Sequence, residues 1–147
     1  MFRRRVTAAA LSIALATSAL AADGKTHRIA IQVDQSDPAV MNMVLNNATN
    51  VIEYYRGKGE DVDVEVVAYG PGMHMLRADT SPVADRIKHL KEMVAGKIQF
   101  SACNNTKQGM EKAEGHAIPI VPEATVVPSG VVRLIELQEQ GWSYVRP

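Results

Sequence analysis

Short β-branched runs alternate with capped helical stripes along this chain, and that alternation narrows its possible folds more than any other feature. Arg28 to Val33, Asp63 to Ala68, Ile98 to Ala102 and Trp142 to Val145 are brief runs rich in β-branched or aromatic residues, as strands are. Helical patterns fill the gaps. Asp37-Pro38 opens the first, with Asp37 able to cap and Pro38 at the first helical position, where no N–H is missed. Val40, Val44, Ala48, Val51 and Tyr55 form its apolar stripe, and Gly57-Lys58-Gly59 stops it. Thr80-Ser81-Pro82 starts the second, with Val83, Ile87, Leu90 and Val94 facing inward and Gly96 at its end. The third follows Cys103-Asn104-Asn105-Thr106, where Asn105 and Gln108 have capping-box spacing. Ser129 starts the fourth, whose apolar face is Val131, Val132, Leu134, Ile135 and Leu137. Tyr69 to His74 reads as a turn-rich loop, and His116 to Pro128 as one short strand with a connection. Strand followed by helix in regular series requires crossover connections. The expected fold is therefore three-layer α/β, a mostly parallel central sheet of about five strands flanked by helices.

The first residues stand apart from this pattern. Arg3, Arg4 and Arg5 precede an uncharged stretch from Val6 to Leu20, which ends at the small-x-small triplet Ala19-Leu20-Ala21. That is the form of a cleaved signal peptide over residues 1–21, leaving 22–147 as one exported domain in the periplasm. The stretch is too short to be a permanent membrane helix, and the three arginines leave both the general and the twin-arginine routes open. Losing those arginines leaves 13 basic against 16 acidic side chains, a net −3. No basic cluster interleaves with aromatics, so nucleic acid is not an expected partner. Asn42, Asn46, Asn47 and Asn50 are unusual inside a helix and read either as solvated positions or as contacts between subunits.

Ligands of open α/β sheets bind beyond the carboxyl ends of the strands. Three segments meet that condition: Gln32 to Ser36, Gly70 to His74 and Ala102 to Thr106. Cys103 is the single cysteine, so no internal disulfide can form. It sits between a strand and a helix start, where free amides stabilise an exposed thiolate. Lys107 is the one charge between Ser101 and Gln108, and it favours the anion. An inert, half-buried thiol remains the alternative. His74 is the candidate to orient or deprotonate the thiol, against the alternative of a merely packed histidine. Asn104, Asn105, Thr106 and Gly72 are the candidate anion contacts. Met73, His74, Met75 and Cys103 could suit copper(I), but no ligand spacing supports it, and the expectation is no metal and no cofactor. Asp79 reads as a turn acid, and His27, His89 and His116 as surface or loop histidines.

Val66 to Leu76, Phe100 to Thr106 and Val127 to Leu134, with the helix holding Asn46 to Asn50, resemble the DsrE/DsrF-like (YchN-like, sulfur relay) family. The resemblance implies a small three-layer α/β fold and assembly as homo- or hetero-oligomers. Some relatives carry sulfane sulfur as a cysteine persulfide, and their active cysteine corresponds to Cys103. By that likeness the chain would be a sulfur carrier or sulfurtransferase-like protein, and its leader, not the likeness, would place it in the periplasm. It would take a small sulfur-containing anion and exchange sulfur with a donor or acceptor protein. The alternative is a non-catalytic ligand-binding or oligomeric interaction module of the same fold.

Overall fold

The computed structural model describes Gly24 and residues 26–147, so the signal peptide expected over residues 1–21 lies outside the described residues. The strands are β1 (Thr26–Val33), β2 (Asp61–Ala68), β3 (Ile98–Cys103), β4 (Ala124–Val127) and β5 (Ser143–Val145). The helices are α1 (Pro38–Gly57), α2 (Ala84–Met93), α3 (Asn104–Glu114) and α4 (Gly130–Glu139). The strands form one sheet in the order β4-β3-β2-β1-β5. All four pairings are parallel, so the expected architecture is met in full.

Alternation along the strands divides the side chains between two unequal layers. Ile29, Ile31, Val64, Val66, Ile98 and Phe100 face α1 and α2 in the main apolar cluster, with Met110 of α3 at its edge. Ile87 and Leu90 of the second helix, with Val83 and Val94 flanking it, are buried as expected. The first helix is rotated from its expected setting: Met41, Val44, Leu45, Ala48 and Ile52 are buried, while Val40, Val51 and Tyr55 lie at the margin. Two overlapping stripes share that helix, and only the sheet beneath it selects between them. The asparagines Asn42 and Asn46 accept from Arg86 of α2, the second at 2.9 Å, so they tie two helices of one chain together.

On the opposite face α4 lies alone. Leu134 and Leu137 cover Ala30 and Val67, flanked by Tyr69 and Trp142. Val131, Val132 and Ile135, expected in the buried stripe, are 49%, 50% and 49% exposed. One helix across five strands has no neighbour of its own to cover its outer side among the described residues. This thin layer also holds a buried acid. Glu65 is 1% exposed and receives Arg133 Nε and Nη2 at 2.7 Å each, with Ser101 Oγ donating at 2.6 Å.

The segment expected as a loop after β2 is instead a 3₁₀ helix, Gly70–Leu76, with Gly72, Met73, Met75 and Leu76 buried. Nor is His27 a bare surface histidine. Its ring stacks on Tyr55 with centroids 3.6 Å apart, and its Nε2 lies 2.6 Å from Glu60.

Beyond the 3₁₀ helix, buried Arg77 holds Asp79 at 2.8 and 3.0 Å and Glu114 at 2.6 and 2.9 Å, clamping the end of α3. The turn acid Asp79 thus has a structural partner. The Arg77 guanidinium holds Asp79 down to about 2 and Glu114 below its ordinary value. A depressed carboxylate contributes stability that is complete above its unfolded pKa and is lost as pH falls through the folded one. Urea midpoints are therefore expected to fall between about pH 5 and pH 2, with a shallower fall in Arg77→Gln.

Candidate functional site at Cys103

Register sets the three strand ends side by side, since Val33 pairs with Ala68, and Ala68 with Ala102. The chain continues to Cys103, the last residue of β3 and the N-cap of α3. Asn105 is therefore not the cap, and the expected capping box with Gln108 does not set this helix start. Cys103 pairs with Val127 of β4 and faces the α4 side of the sheet. The next residues after Val127 lead directly into α4, so a second helix start comes back against the cysteine. Gly130 marks that approach. A Cβ there would lie 3.3 Å from Cys103 Cβ and 2.9 Å from Tyr69 Cβ.

Cys103 is 4% exposed, which corrects the expectation of an exposed thiol. It is buried on the α4 face of the sheet, where Tyr69 and Gly130 crowd together beside it. Burial raises the thiol pKa, but the Thr106 hydroxyl and the amides of Gly130, Thr106 and Asn105 outweigh it, and the net shift is downward. The α3 amides face the sulfur without closing a full capping hydrogen bond onto it. Thr106 Oγ1 accepts from Gly70 N–H at 2.9 Å, which leaves the hydroxyl proton free to turn toward the sulfur. Two helix starts and one oriented hydroxyl thus converge on a single side chain. Their partial positive charges are what a thiolate requires.

The other expected residues are placed less directly. Lys107, expected to favour the anion, pairs with Glu111 one turn on, and Glu111 also accepts from Ile118 N–H. His74 is half-buried on the 3₁₀ helix, which packs against β3 and α3, and no hydrogen bond or ion pair holds its ring among the described residues. Asn104 is half-buried and Asn105 exposed at the start of α3. Gly72 is a packing requirement of β1: a Cβ would sit 2.2 Å from the Val33 carbonyl oxygen. Met73 and Met75 lie in the main apolar cluster, away from the layer that Cys103 faces. Gln32 and Asp34 turn to the other edge, where Tyr144 donates to Gln32 and Arg146 to Asp34 at 2.9 Å.

Four residues of this neighbourhood escaped the sequence reading: Tyr69, Gly130, Glu65 and Arg133. Gly130 carried a usable signal, since glycine directly after a serine cap is a poor choice for helix stability alone. Glu65 carried none, because an acid in an alternating strand normally faces water. A hollow of about 220 Å³ runs along the β4–α4 connection, lined by Val127, Pro128, Ser129, Val132, Arg133 and Glu136. A larger one, about 410 Å³, lies at the opposite end of the strands, by the start of β2, and includes none of the expected residues.

A model of the DsrE/DsrF-like family matches residues 6–147. The chain belongs to the DsrE/DsrF-like family. Among solved structures it is similar to the protein of unknown function MTH1491 from Methanobacterium thermoautotrophicum, with 30% identity and a TM-score of 0.69. That match covers 82% of this chain and 99% of the other. No curated protein matches this chain. Family membership agrees with the parallel five-stranded sheet. Among the described residues no helix is long and apolar enough to cross a membrane.

Proposed function

We propose that this DsrE/DsrF-like protein is a periplasmic sulfur carrier that holds sulfane sulfur as a persulfide on Cys103. The observation that carries the reading is the convergence of the Thr106 hydroxyl and the Gly130, Thr106 and Asn105 amides on one sulfur, with a net lowering of its pKa. Export is supported by the leader pattern of residues 1–21. With thiosulfate as donor, the Cys103 thiolate attacks the outer sulfur. A new S–S bond forms to Cys103, the donor's S–S bond breaks, and sulfite leaves with the electron pair. An acceptor thiolate then attacks the terminal sulfur and regenerates the Cys103 thiolate. The total charge is unchanged in both steps, and no external oxidant is consumed. Persulfide exchange needs nucleophilicity as well as ionisation, so a modest lowering suits it better than an extreme one.

The amides of Asn104 to Thr106 would steady the anionic sulfur, and His74 would tune charge from the 3₁₀ helix. Lys107 would act less strongly than its sequence position suggests, because Glu111 holds it. The exposed Val131, Val132 and Ile135 support a homo-oligomer, or docking of a donor or acceptor protein beside the site. The low exposure of Cys103 favours the second reading, a binding or interaction module without sulfur transfer.

Intact mass spectrometry separates the two. After exposure to polysulfide, or to thiosulfate with a donor enzyme, a carrier gains about +32 Da, one sulfur, removable by thiols. Cys103→Ser gains nothing. A folded wild-type protein that stays unmodified under the same treatment would leave the binding module standing.

A further inference from the structure

We infer that Glu65, Arg133 and Ser101 form a positioning device that sets the start of α4 against the Cys103 sulfur. The inference rests on the reading of Cys103 as the sulfur-bearing thiol, and it identifies what tunes that thiol from outside its own helix.

The geometry is that of two anchors on one acid. Arg133 lies three residues beyond Gly130, one turn along α4, and its fork closes on both oxygens of Glu65 at 2.7 Å. Ser101 stands two residues before Cys103 on the same face of β3, and its hydroxyl donates to Glu65 Oε1 at 2.6 Å. Glu65 therefore joins the helix that brings the Gly130 amide to the strand that brings the sulfur. The approach it maintains is a close one, with an ideal Cβ on Gly130 only 3.3 Å from that of Cys103. Planar, bidentate pairing restricts both distance and angle, which a single apolar contact does not. The side-chain cap of α4, in which Ser129 Oγ accepts from Val132 N–H, is long at 3.4 Å. The other charged or titratable groups on the surrounding elements include Glu136 on α4, 4.0 Å from Arg133 Nη1, and Lys107 and Glu111, paired on α3, with His74 on the 3₁₀ helix and Tyr69 beside Gly130.

The decisive variant is Glu65→Leu, because charge and position then predict opposite signs. Deleting a carboxylate while Arg133 keeps its charge should make Cys103 more acidic if simple electrostatics governs. Loss of the anchor should make it less acidic, as the Gly130 amide drifts from the sulfur. The thiol is titrated in the intact, folded protein through the ultraviolet absorbance of its thiolate, with Cys103→Ser as the blank. The expected result is a rise of about one pKa unit, an approximately tenfold smaller thiolate fraction near neutral pH. An unchanged or lower thiol pKa overturns the proposal. Should Glu65→Leu fail to fold, Glu65→Gln keeps the shape and one acceptor and must show a smaller rise. An unchanged or lower value there overturns the proposal equally. This titration does not involve sulfur transfer, so failure of the carrier reading, seen as a missing mass adduct, is told apart from failure of the positioning role.

Discussion

Gly72→Ala is expected to destabilise the protein by about 3 kcal/mol, lowering Tm by roughly 10 °C. The added Cβ would lie 2.2 Å from Val33 O, 2.5 Å from Val33 C and 2.7 Å from Asp34 N. All three are backbone atoms at the end of β1, so no side-chain rotation can relieve the contact. Either the strand end or the 3₁₀ helix has to move. Val33 O also accepts from Tyr69 N–H at 3.1 Å, and moving it strains the chain entering the 3₁₀ helix. The disturbance then reaches the site through Gly70, whose N–H orients Thr106 Oγ1. Thermal unfolding of the full chain measures the stability effect. A loss below about 1 kcal/mol would mean that the β1 end is far softer than its packing implies.

Arg133→Met is expected to cost about 3 kcal/mol, and the double substitution Glu65→Leu/Arg133→Met to recover most of that loss. The asymmetry comes from desolvation. Glu65 is 1% exposed, and removing Arg133 leaves its carboxylate in the thin layer with only the Ser101 hydroxyl. Replacing both partners by apolar side chains removes the charge that needed compensation. The measurement is chemical denaturation of both variants beside the wild type. Equal losses in the single and double variants would show that the pair adds no cost of burial for its partner to offset. The double variant also tests the site, because a protein of restored stability should still show a weakened thiolate if Arg133 positions α4.

Much of the architecture was legible from local patterns. Asp37-Pro38 announces α1, and Asp37 Oδ1 does accept from Ala39 N–H at 2.8 Å. Ser129 is the cap of α4, as the serine before an apolar stripe indicates. The inner face of the second helix was readable residue by residue, since only one stripe is available there. Where two stripes overlap, as in α1, periodicity cannot choose. Where the expected stripe is wider than the face that packs, as in α4, it overstates burial. Gly70 to Leu76 was missed as a helix because glycine and proline signal a turn, while packing against the ends of β1, β2 and β3 supplies the order.

The candidate site divides along the same line. From the amino acids alone come the lone thiol, its place between a strand and a helix, and the capped α/β series, because each depends on neighbours within a few residues. The fold decides that a second helix start reaches that sulfur, that Lys107 is already engaged, and that a buried acid links α4 to β3. The first and last of these join residues tens of positions apart, whereas Lys107 meets Glu111 only one turn along α3. Hydrogen bonding and close packing between such distant residues exist only once the sheet has brought its strand ends together.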